Sequence, residues 1–367
     1  MSDGAPPLLM TPGPTRIPQR VLGAGMRVLH HRTPEFSAAL GELLEGLRPV
    51  FGTRGADLLP VHATGRASME GAILNFLNPG DTVVACCNGK FGEMWAGFAE
   101  LYGARVVRVA TDWARSVDPD EVEHALDAHP GARAVTVAHC DTSTGVLNPV
   151  AAVAAVARRR GVLVLVDAIS SLGGAPVDFD AWDLDVAVTS SQKCLMSSPG
   201  ISFVAVGPRA WRAAESATLP SAYLDFAAIR DALSGPRPQT PGTTPVLLVL
   251  QVLEAVRVIH EEGLDAVFAR HRLMAAAVAD WAARRGIALQ GDGIAVRSPT
   301  LTALRMPEGT DPSAVRATVR AQGIQIAAGL GAYQGTCVRV GHMGDIRSDD
   351  VARTLAALDT ALVPREV

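Results

Sequence analysis

The chain is 367 residues long, which is enough for a large domain with a smaller partner, each built around its own core. Hydrophobic residues make up 48% and charged residues 19%, and the net charge of −4 leaves no basic surplus for binding nucleic acid. No stretch approaches the roughly 20 apolar residues of a membrane span, and the opening MSDGAPPLLM lacks the features of a signal peptide. We therefore expect a soluble, cytoplasmic protein that binds neither nucleic acid nor a membrane.

The N-terminal part predicts an extended segment followed by helices. Residues 1–20 include the proline-rich run LLMTPGPTRIP, which cannot continue a helix or a central strand. Residues 34–51 carry apolar side chains at helical spacing and predict a helix. The turn VHATGRASME then leads into a helix predicted over 69–76. Small residues at a helix start can bind an anion, because free amide groups and the helix dipole point at it; an ordinary helix cap is the alternative.

Buried strands alternate with helices through the middle of the chain. The predicted strands are 82–86, 105–109, 134–138, 162–166, 186–189 and 201–206, and the predicted helices are 91–102, 118–129 and 150–160. Each strand is a nearly continuous apolar run, as expected when both faces of a sheet are covered. Repeated strand–helix units predict an α/β fold with a mainly parallel sheet that carries helices on both faces.

Two of these strands end in ionisable residues. Asp167 follows one apolar run, and Lys193 lies just beyond the next, so both fall at the strand ends where open α/β sheets bind ligands. A lysine at such a site loses hydration, which favours the neutral, nucleophilic amine. An amine that forms a Schiff base and an acid that keeps a pyridinium nitrogen protonated are what pyridoxal phosphate enzymes require. Spacing alone leaves open a surface lysine and a helix-capping aspartate.

The last third of the chain has a different pattern. Residues 222–242 give little regular signal, and residues 246–262 predict a long connecting helix. From residue 264 onward, helices and short strands predict a smaller α+β domain, with elements at 264–285, 301–306, 312–322, 338–340 and 349–362. We therefore divide the chain into an extended segment (1–20), a large domain (21–263) and a small domain (264–367). Arg339 is a polar residue on one of the short strands.

Several segments resemble one enzyme family in their order along nearly the whole chain. They are LLMTPGPT, NPGDTVV, AHCDTSTGVLNP, VDAISSLGG, SSQKC and VRVGHMG. The sequence is similar to class V aminotransferases of fold type I, in the alanine/serine–glyoxylate branch. The resemblance implies bound pyridoxal 5′-phosphate, small amino acids and 2-oxo acids as substrates, and a homodimer.

The resemblance also assigns roles to particular residues. Lys193 and Asp167 would be catalytic, and Arg339 with the backbone at Gly13 would bind the substrate carboxylate. Cofactor contacts would come from Thr64, Gly65, Arg66, Phe91, Thr142, Asp167, Ile169, Gln192, Lys193 and, in the neighbouring subunit, Thr243. Among these, Phe91 would stack on the ring. His139 lies in a polar loop where a general base is one interpretation, but the acid and hydroxyl residues of its motif carry the resemblance, so we expect His139 to be structural. Cys194, beside the lysine, is expected to pack.

The amino donor is the least determined feature. An alanine or serine type donor fits the branch, whereas Arg66 departs from its usual Ser-Gly-His or Ser-Gly-Thr turn and resembles the ureidoglycine–glyoxylate enzymes. Aminoethylphosphonate–pyruvate and pyridoxamine–pyruvate aminotransferases are further alternatives, although Leu330 replaces the second arginine of a pyridoxamine-using relative. A lyase or desulfurase, and a scaffold without activity, complete the alternatives.

Overall fold

A computed structural model describes residues 6–109, 112–291, 293 and 296–362. The helices in these ranges are α1 (Gln19–Ala24), α2 (Pro34–Phe51), α3 (Gly65–Phe76), α4 (Lys90–Leu101), α5 (Pro119–Ala128), α6 (Val150–Arg159), α7 (Pro208–Ala214), α8 (Phe226–Leu233), α9 (Val246–Glu262), α10 (Leu264–Arg284), α11 (Pro312–Ala321) and α12 (Ser348–Leu362). None of these helices is both long and apolar enough to cross a membrane.

The strands in the same ranges are β1 (Leu8–Leu9), β2 (Asp57–Val61), β3 (Thr82–Cys86), β4 (Arg105–Val109), β5 (Ala132–Ala138), β6 (Cys140–Asp141), β7 (Val146–Leu147), β8 (Leu163–Asp167), β9 (Val186–Ser190), β10 (Ser202–Val206), β11 (Leu301–Arg305), β12 (Ile324–Gln325), β13 (Ala327–Ala328) and β14 (Cys337–Gly341).

The main sheet, as far as the described residues show it, has the strand order β2-β10-β9-β8-β5-β3-β4. The pairs from β9 through to β4 are parallel, and only β10 runs antiparallel to its neighbours β2 and β9. Crossover helices between β3, β4, β5 and β8 make the parallel pairing possible. The predicted mainly parallel α/β sheet is confirmed.

Helices cover both faces of this sheet, so alternate residues of one strand enter different cores. Val164 and Val166 of β8 pack in the core formed with α2, α5, α6 and α9. Leu163 and Leu165 pack in the core formed with α3, α4, α7 and α8. This arrangement explains why the strands read as continuous apolar runs rather than as alternating ones.

A second sheet, β11-β14-β13, is antiparallel and packs with α10, α11 and α12. The N-terminal segment joins this part of the chain, because β1 pairs with β12 and Met10 lies in the same core. Helix α10 contributes Val267 to the large core and Met274 to the small one. The boundary at residue 264 therefore stays a prediction, since α10 packs on both sides of it.

Local sequence explains where the predicted helices begin and end. Helix α2 starts at Pro34, and the Thr33 hydroxyl caps it by accepting a hydrogen bond from the Phe36 amide. It ends at Phe51, and the next residue, Gly52, has the left-handed φ of 65° that stops the helix. Helix α8, in contrast, lies in the region that gave little regular signal. Its two turns are too short to show a clear helical repeat of apolar residues. The sequence signal that could have indicated this helix is Asp225, whose carboxylate accepts a hydrogen bond from the Ala228 amide at the helix start.

Candidate active site

Two neighbouring strands bring the predicted catalytic pair to one edge of the main sheet. Asp167 is the last residue of β8 and is in register with Ala138 of β5 and Val188 of β9. Lys193 follows β9 by three residues and sits in a tight turn, in which the Met196 amide donates to the Lys193 carbonyl. The carboxyl ends of parallel strands meet at this edge, so the site lies where sheet topology places ligands.

Asp167 is a buried carboxylate with one oxygen outside any protein hydrogen bond. It is 2% exposed, and its Oδ1 accepts a hydrogen bond of 2.7 Å from the Ile169 amide. Within the described ranges Oδ2 has no hydrogen-bond partner. Burial raises the pKa of Asp167 to about 7, with the charge of Asp141 adding to the effect and the Ile169 amide and Lys193 opposing it. A cation placed against Oδ2 would restore the charged form.

Lys193 is also buried, being 9% exposed. Burial lowers the pKa of its ammonium to about 8; the Asp167 charge raises it and the Arg339 charge lowers it further. The Nζ atom donates a hydrogen bond to the carbonyl oxygen of Pro12. The N-terminal segment therefore lies directly over the lysine.

Gly13 packs on the lysine side chain more closely than another residue could. Its φ is 99°, and a Cβ atom at this position would lie 2.4 Å from Cδ and 2.8 Å from Nζ of Lys193. Only glycine combines this backbone conformation with so close an approach. The family resemblance assigns the Pro12–Gly13 backbone to the substrate carboxylate, and this role stays a prediction; in the structure both residues lie against the Lys193 side chain.

Arg339 lies at the centre of β14, in register with Ala303 of β11 and Ala327 of β13. It is 8% exposed; its Nε donates to the Ala328 carbonyl at 2.7 Å and its Nη1 to the Thr142 carbonyl at 2.9 Å. Burial lowers its pKa to about 10, and the charge of Asp141 partly offsets this. No carboxylate in the described part of the chain forms an ion pair with it, so a ligand carboxylate fits here.

The loop after β5 connects these groups. The Thr142 hydroxyl is 2.5 Å from the Ser170 hydroxyl, three residues after Asp167, while the Thr142 carbonyl holds Arg339. The loop thus links the strand that carries the acid to the strand that carries the arginine.

Asp141, in the same loop, fixes the start of the helix that carries Phe91. Its Oδ2 accepts hydrogen bonds from the amides of Phe91 at 2.8 Å and Gly92 at 3.3 Å, and its Oδ1 accepts from the Ser143 amide at 2.9 Å. The family resemblance places Asp141 and Thr142 in the loop beside the phenolic oxygen of the cofactor, and it says nothing of this contact with the helix. An aspartate two residues before a serine is typical of a side-chain-capped turn, and that signal was available.

The predicted anion-binding turn lies at the start of α3. Thr64 is exposed and makes no capping hydrogen bond, so its hydroxyl is available to a ligand. The Gly65 amide donates to the Ser190 hydroxyl at 3.1 Å, and that hydroxyl donates to Gln192 at 2.5 Å. A Cβ atom on Gly65 would lie 2.5 Å from Cδ1 of Ile169. Four predicted cofactor contacts are thus neighbours.

Two predicted contacts lie apart from this group. The exposed side chain of Arg66 places its guanidinium over the Phe98 ring, 5.7 Å from the ring centroid. Thr243 is exposed beside a cavity of about 310 Å³, which His62 and Tyr223 also line. Neither joins the Lys193 group within this chain, as expected for Thr243 if it serves a neighbouring subunit.

His139 and Cys194 have the environments of structural residues. The Nδ1 of His139 shares a hydrogen bond of 3.0 Å with the Ser171 hydroxyl, and burial lowers its pKa to about 4. Burial raises the pKa of the Cys194 thiol to about 12, so the thiol stays protonated. These settings favour a neutral ring that packs and an unreactive thiol.

A mainly parallel sheet with helices on both faces, a buried lysine at its carboxyl edge and a nearby acid define a fold type I transferase of the pyridoxal phosphate enzymes. The chain belongs to the class V aminotransferases, because the sequence profile of Aminotransferase class-V matches residues 12–348. The family and the fold predicted from the sequence are confirmed.

Individual relatives are similar over nearly their whole length. The chain is 37% identical to the soluble hydrogenase small subunit of Synechococcus sp. (strain PCC 6716), over 99% of this chain and 94% of that protein. It is 35% identical to the L-aspartate–glyoxylate aminotransferase of Paracoccus denitrificans, over 96% and 89%. The crystal structure of an alanine–glyoxylate aminotransferase from Nostoc sp. superposes with a TM-score of 0.93 at 32% identity, over 98% and 96%.

Proposed function

We propose that this enzyme uses pyridoxal phosphate to move an amino group from a small amino acid, of the alanine or serine type, to glyoxylate or pyruvate. The observation that carries the proposal is the juxtaposition of a buried, weakly basic Lys193 with Asp167 and with an Arg339 that has no counterion among the residues the structure describes. A ligand that brings a cationic ring nitrogen and a carboxylate would satisfy both charged groups at once.

The residues present fit the cofactor. Asp167 Oδ2 is open to a ring N–H, and Phe91 lies in the first turn of α4, which Asp141 fixes. The Thr64 hydroxyl, which has no hydrogen-bond partner among the described residues, stands at the start of α3. Such a helix start attracts a phosphate through its amides and dipole. Bound there, pyridoxal phosphate would supply an electron sink for cleavage of the Cα–H bond. Its contacts with Thr64, Gly65, Ile169, Thr142 and Gln192 remain proposals.

Three side chains of the protein would then have separate roles in the reaction. Arg339 binds the donor carboxylate with a planar pair of N–H groups, which fixes rotation of the donor and selects which Cα bond is broken. Nζ of Lys193, with a pKa of about 8, can accept the Cα proton as a neutral amine and hold it as an ammonium near neutral pH. Asp167 acts by staying negative beside the ring, and the buried setting strengthens that interaction.

The N-terminal segment covers this chemistry. Pro12 and Gly13 lie on Lys193, so they limit access of water to the amine. The Gly13 backbone is thereby also close enough to the amine to contact a donor, as the sequence suggested.

We further propose a homodimer in which the loop 240–245 completes the phosphate site of the neighbouring subunit. Thr240 is buried and bonds the Thr244 hydroxyl at 2.6 Å, which presents the exposed Thr243 at the loop tip. Sedimentation and activity measured across one dilution series test this proposal. A monomer with full activity at low concentration would contradict it.

The donor is best identified by a direct screen. Alanine, serine, aspartate, ureidoglycine, aminoethylphosphonate and pyridoxamine would each be mixed with the purified holoenzyme, following the loss of the cofactor absorbance band. Glyoxylate or pyruvate should then regenerate the band. Lys193→Ala is the control: it should retain bound cofactor but lose turnover, because the amine that moves the proton is gone. Multiple turnovers by this variant would refute the assignment.

A further inference from the structure

Residues 8–16 form a strap that runs from the small sheet to the lysine. Its first half belongs to the C-terminal part of the chain: Leu8 is in register with Ile324, and the Met10 carbonyl accepts a hydrogen bond of 2.8 Å from the Gly341 amide. A Cβ atom on Gly341 would lie 2.1 Å from the Thr11 carbonyl oxygen. Because Gly341 is two residues from Arg339, the strap is bound beside the arginine strand.

The second half of the strap is bound to the lysine segment. Pro12 and Gly13 contact the Lys193 side chain, and the Thr15 amide donates to the Gln192 carbonyl at 3.2 Å. The Thr15 hydroxyl donates to the Met343 carbonyl at 2.9 Å, which ties the same point to the loop after β14. The strap therefore sets the separation between the amine at Lys193 and the strand that carries Arg339.

Arg16 closes the strap with two carboxylates. Its Nη1 lies 3.0 Å from Asp350 Oδ2, and its Nη2 lies 3.2 Å from Asp345 Oδ2 and also bonds the Asp345 carbonyl. Asp345 follows β14, and Asp350 is in the first turn of α12. The side chain of Arg16 is 34% exposed and those of Asp345 and Asp350 19% and 11%, so this pairing is better shielded than a surface ion pair.

The receiving loop is itself held in place. Arg270 donates to the carbonyls of Gly344 and Ile346, both at 2.9 Å, and Arg347 binds Asp345 Oδ1 at 3.0 Å. Arg16 thus attaches the strap to a loop that Arg270 and Arg347 also hold. Without Arg16, residues 12–15 would keep the hydrogen bonds of Thr15 but lose their charged anchor.

We propose that Arg16 is a positioning residue that latches the strap, so that Pro12 and Gly13 keep Lys193 at the correct distance from a donor held by Arg339. The inference rests on the proposed function. Without the Arg16 ion pairs, the strap would lie on Lys193 in only a fraction of the molecules. The donor would bind productively only to that fraction, so its apparent affinity would fall.

The test compares Arg16→Gln, Arg16→Lys and a matched control, Arg20→Gln, in the cofactor-loaded enzyme. Arg20 also pairs with two glutamates, Glu254 and Glu261, but its side chain is 50% exposed and joins α1 to α9, away from the strap. Hydrogen exchange of the peptide that spans residues 8–15 measures docking, and steady-state kinetics measure its consequence.

In Arg16→Gln we expect exchange of the strap amides to rise about tenfold while the core strands keep their protection. The kcat/KM for the amino acid should fall about tenfold, mainly through a higher KM. The reason is that part of the free energy of donor binding would be used to dock the strap. Arg16→Lys should recover part of both effects, and Arg20→Gln should change neither.

Unchanged strap exchange in Arg16→Gln would overturn the latch, and so would equal changes in Arg20→Gln. Faster exchange with an unaltered KM would overturn the positioning role. If the parent enzyme catalysed no transamination, the proposed function would fail, whereas the exchange measurement would still decide whether Arg16 holds the strap.

Discussion

Replacing Gly13 by alanine should damage catalysis far more than folding. The added Cβ would lie 2.4, 2.7 and 2.8 Å from Cδ, Cε and Nζ of Lys193, whereas ordinary contacts are about 3.5 to 4 Å. The end of the lysine chain must therefore move by roughly 1 Å. That end is flexible, so the fold can accommodate the change, but it is also the reactive amine. A misplacement of this size costs about 100-fold in rate.

The backbone contributes a separate effect that a control can remove. Alanine at the Gly13 φ of 99° is strained, which should lower the free energy of unfolding by about 1 to 3 kcal/mol. Gly80 has a similar φ of 87°, but an added Cβ there would have no atom within 4 Å. Gly80→Ala therefore introduces the same kind of backbone strain without any contact between the new Cβ and another side chain.

The assay pairs turnover with urea unfolding for the parent, Gly13→Ala and Gly80→Ala. Both variants should lose a similar amount of stability, and only Gly13→Ala should lose about 100-fold in kcat while retaining the cofactor. Equal rates in the two variants would refute the close packing of the strap on Lys193.

Three further predictions follow from the burial of charged groups. Arg339→Lys keeps the positive charge but loses the planar pair of N–H donors, so kcat/KM for α-amino acids should fall about tenfold to 100-fold. Amines without a carboxylate should lose much less. Equal losses for both kinds of substrate would mean that another residue binds the carboxylate. Asp167→Asn should lower the rate of amino transfer by orders of magnitude while the midpoint of urea unfolding stays near normal. An unchanged rate would mean that Asp167 only caps the turn that follows its strand. His139, whose pKa burial lowers to about 4, is neutral when folded, so its stabilisation is present above pH 6.5 and is lost as the unfolded chain takes up a proton below it. Between pH 7.5 and 5.5 this loss is about 1.4 kcal/mol, and His139→Asn should show a correspondingly smaller pH dependence of unfolding.

The sequence alone determined the architecture and the chemical class. Runs such as LVLVD report burial on both faces of a strand, and strand–helix alternation leaves little choice but a mainly parallel sheet. Asp167 ends such a run and Lys193 lies just beyond the next one, so both are expected at the shared carboxyl edge of the parallel strands. Spacing alone left a capping aspartate and a surface lysine open, and the motifs shared with the class V aminotransferases favoured the catalytic pair. Helix α8 could not, because two turns hold too few apolar residues to show a period.

Tertiary structure decided which distant groups meet. The family resemblance brought Gly13 to the site, but the sequence did not tell that Pro12 and Gly13 contact Lys193, that the Thr142 carbonyl accepts from Arg339, or that Arg16 reaches Asp345. These contacts join residues more than 150 positions apart and depend on backbone carbonyls and glycines, which carry no chemical signature in a sequence. The large sheet follows from local apolar pattern, whereas the geometry of the reacting amine follows from how the two ends of the chain pack together.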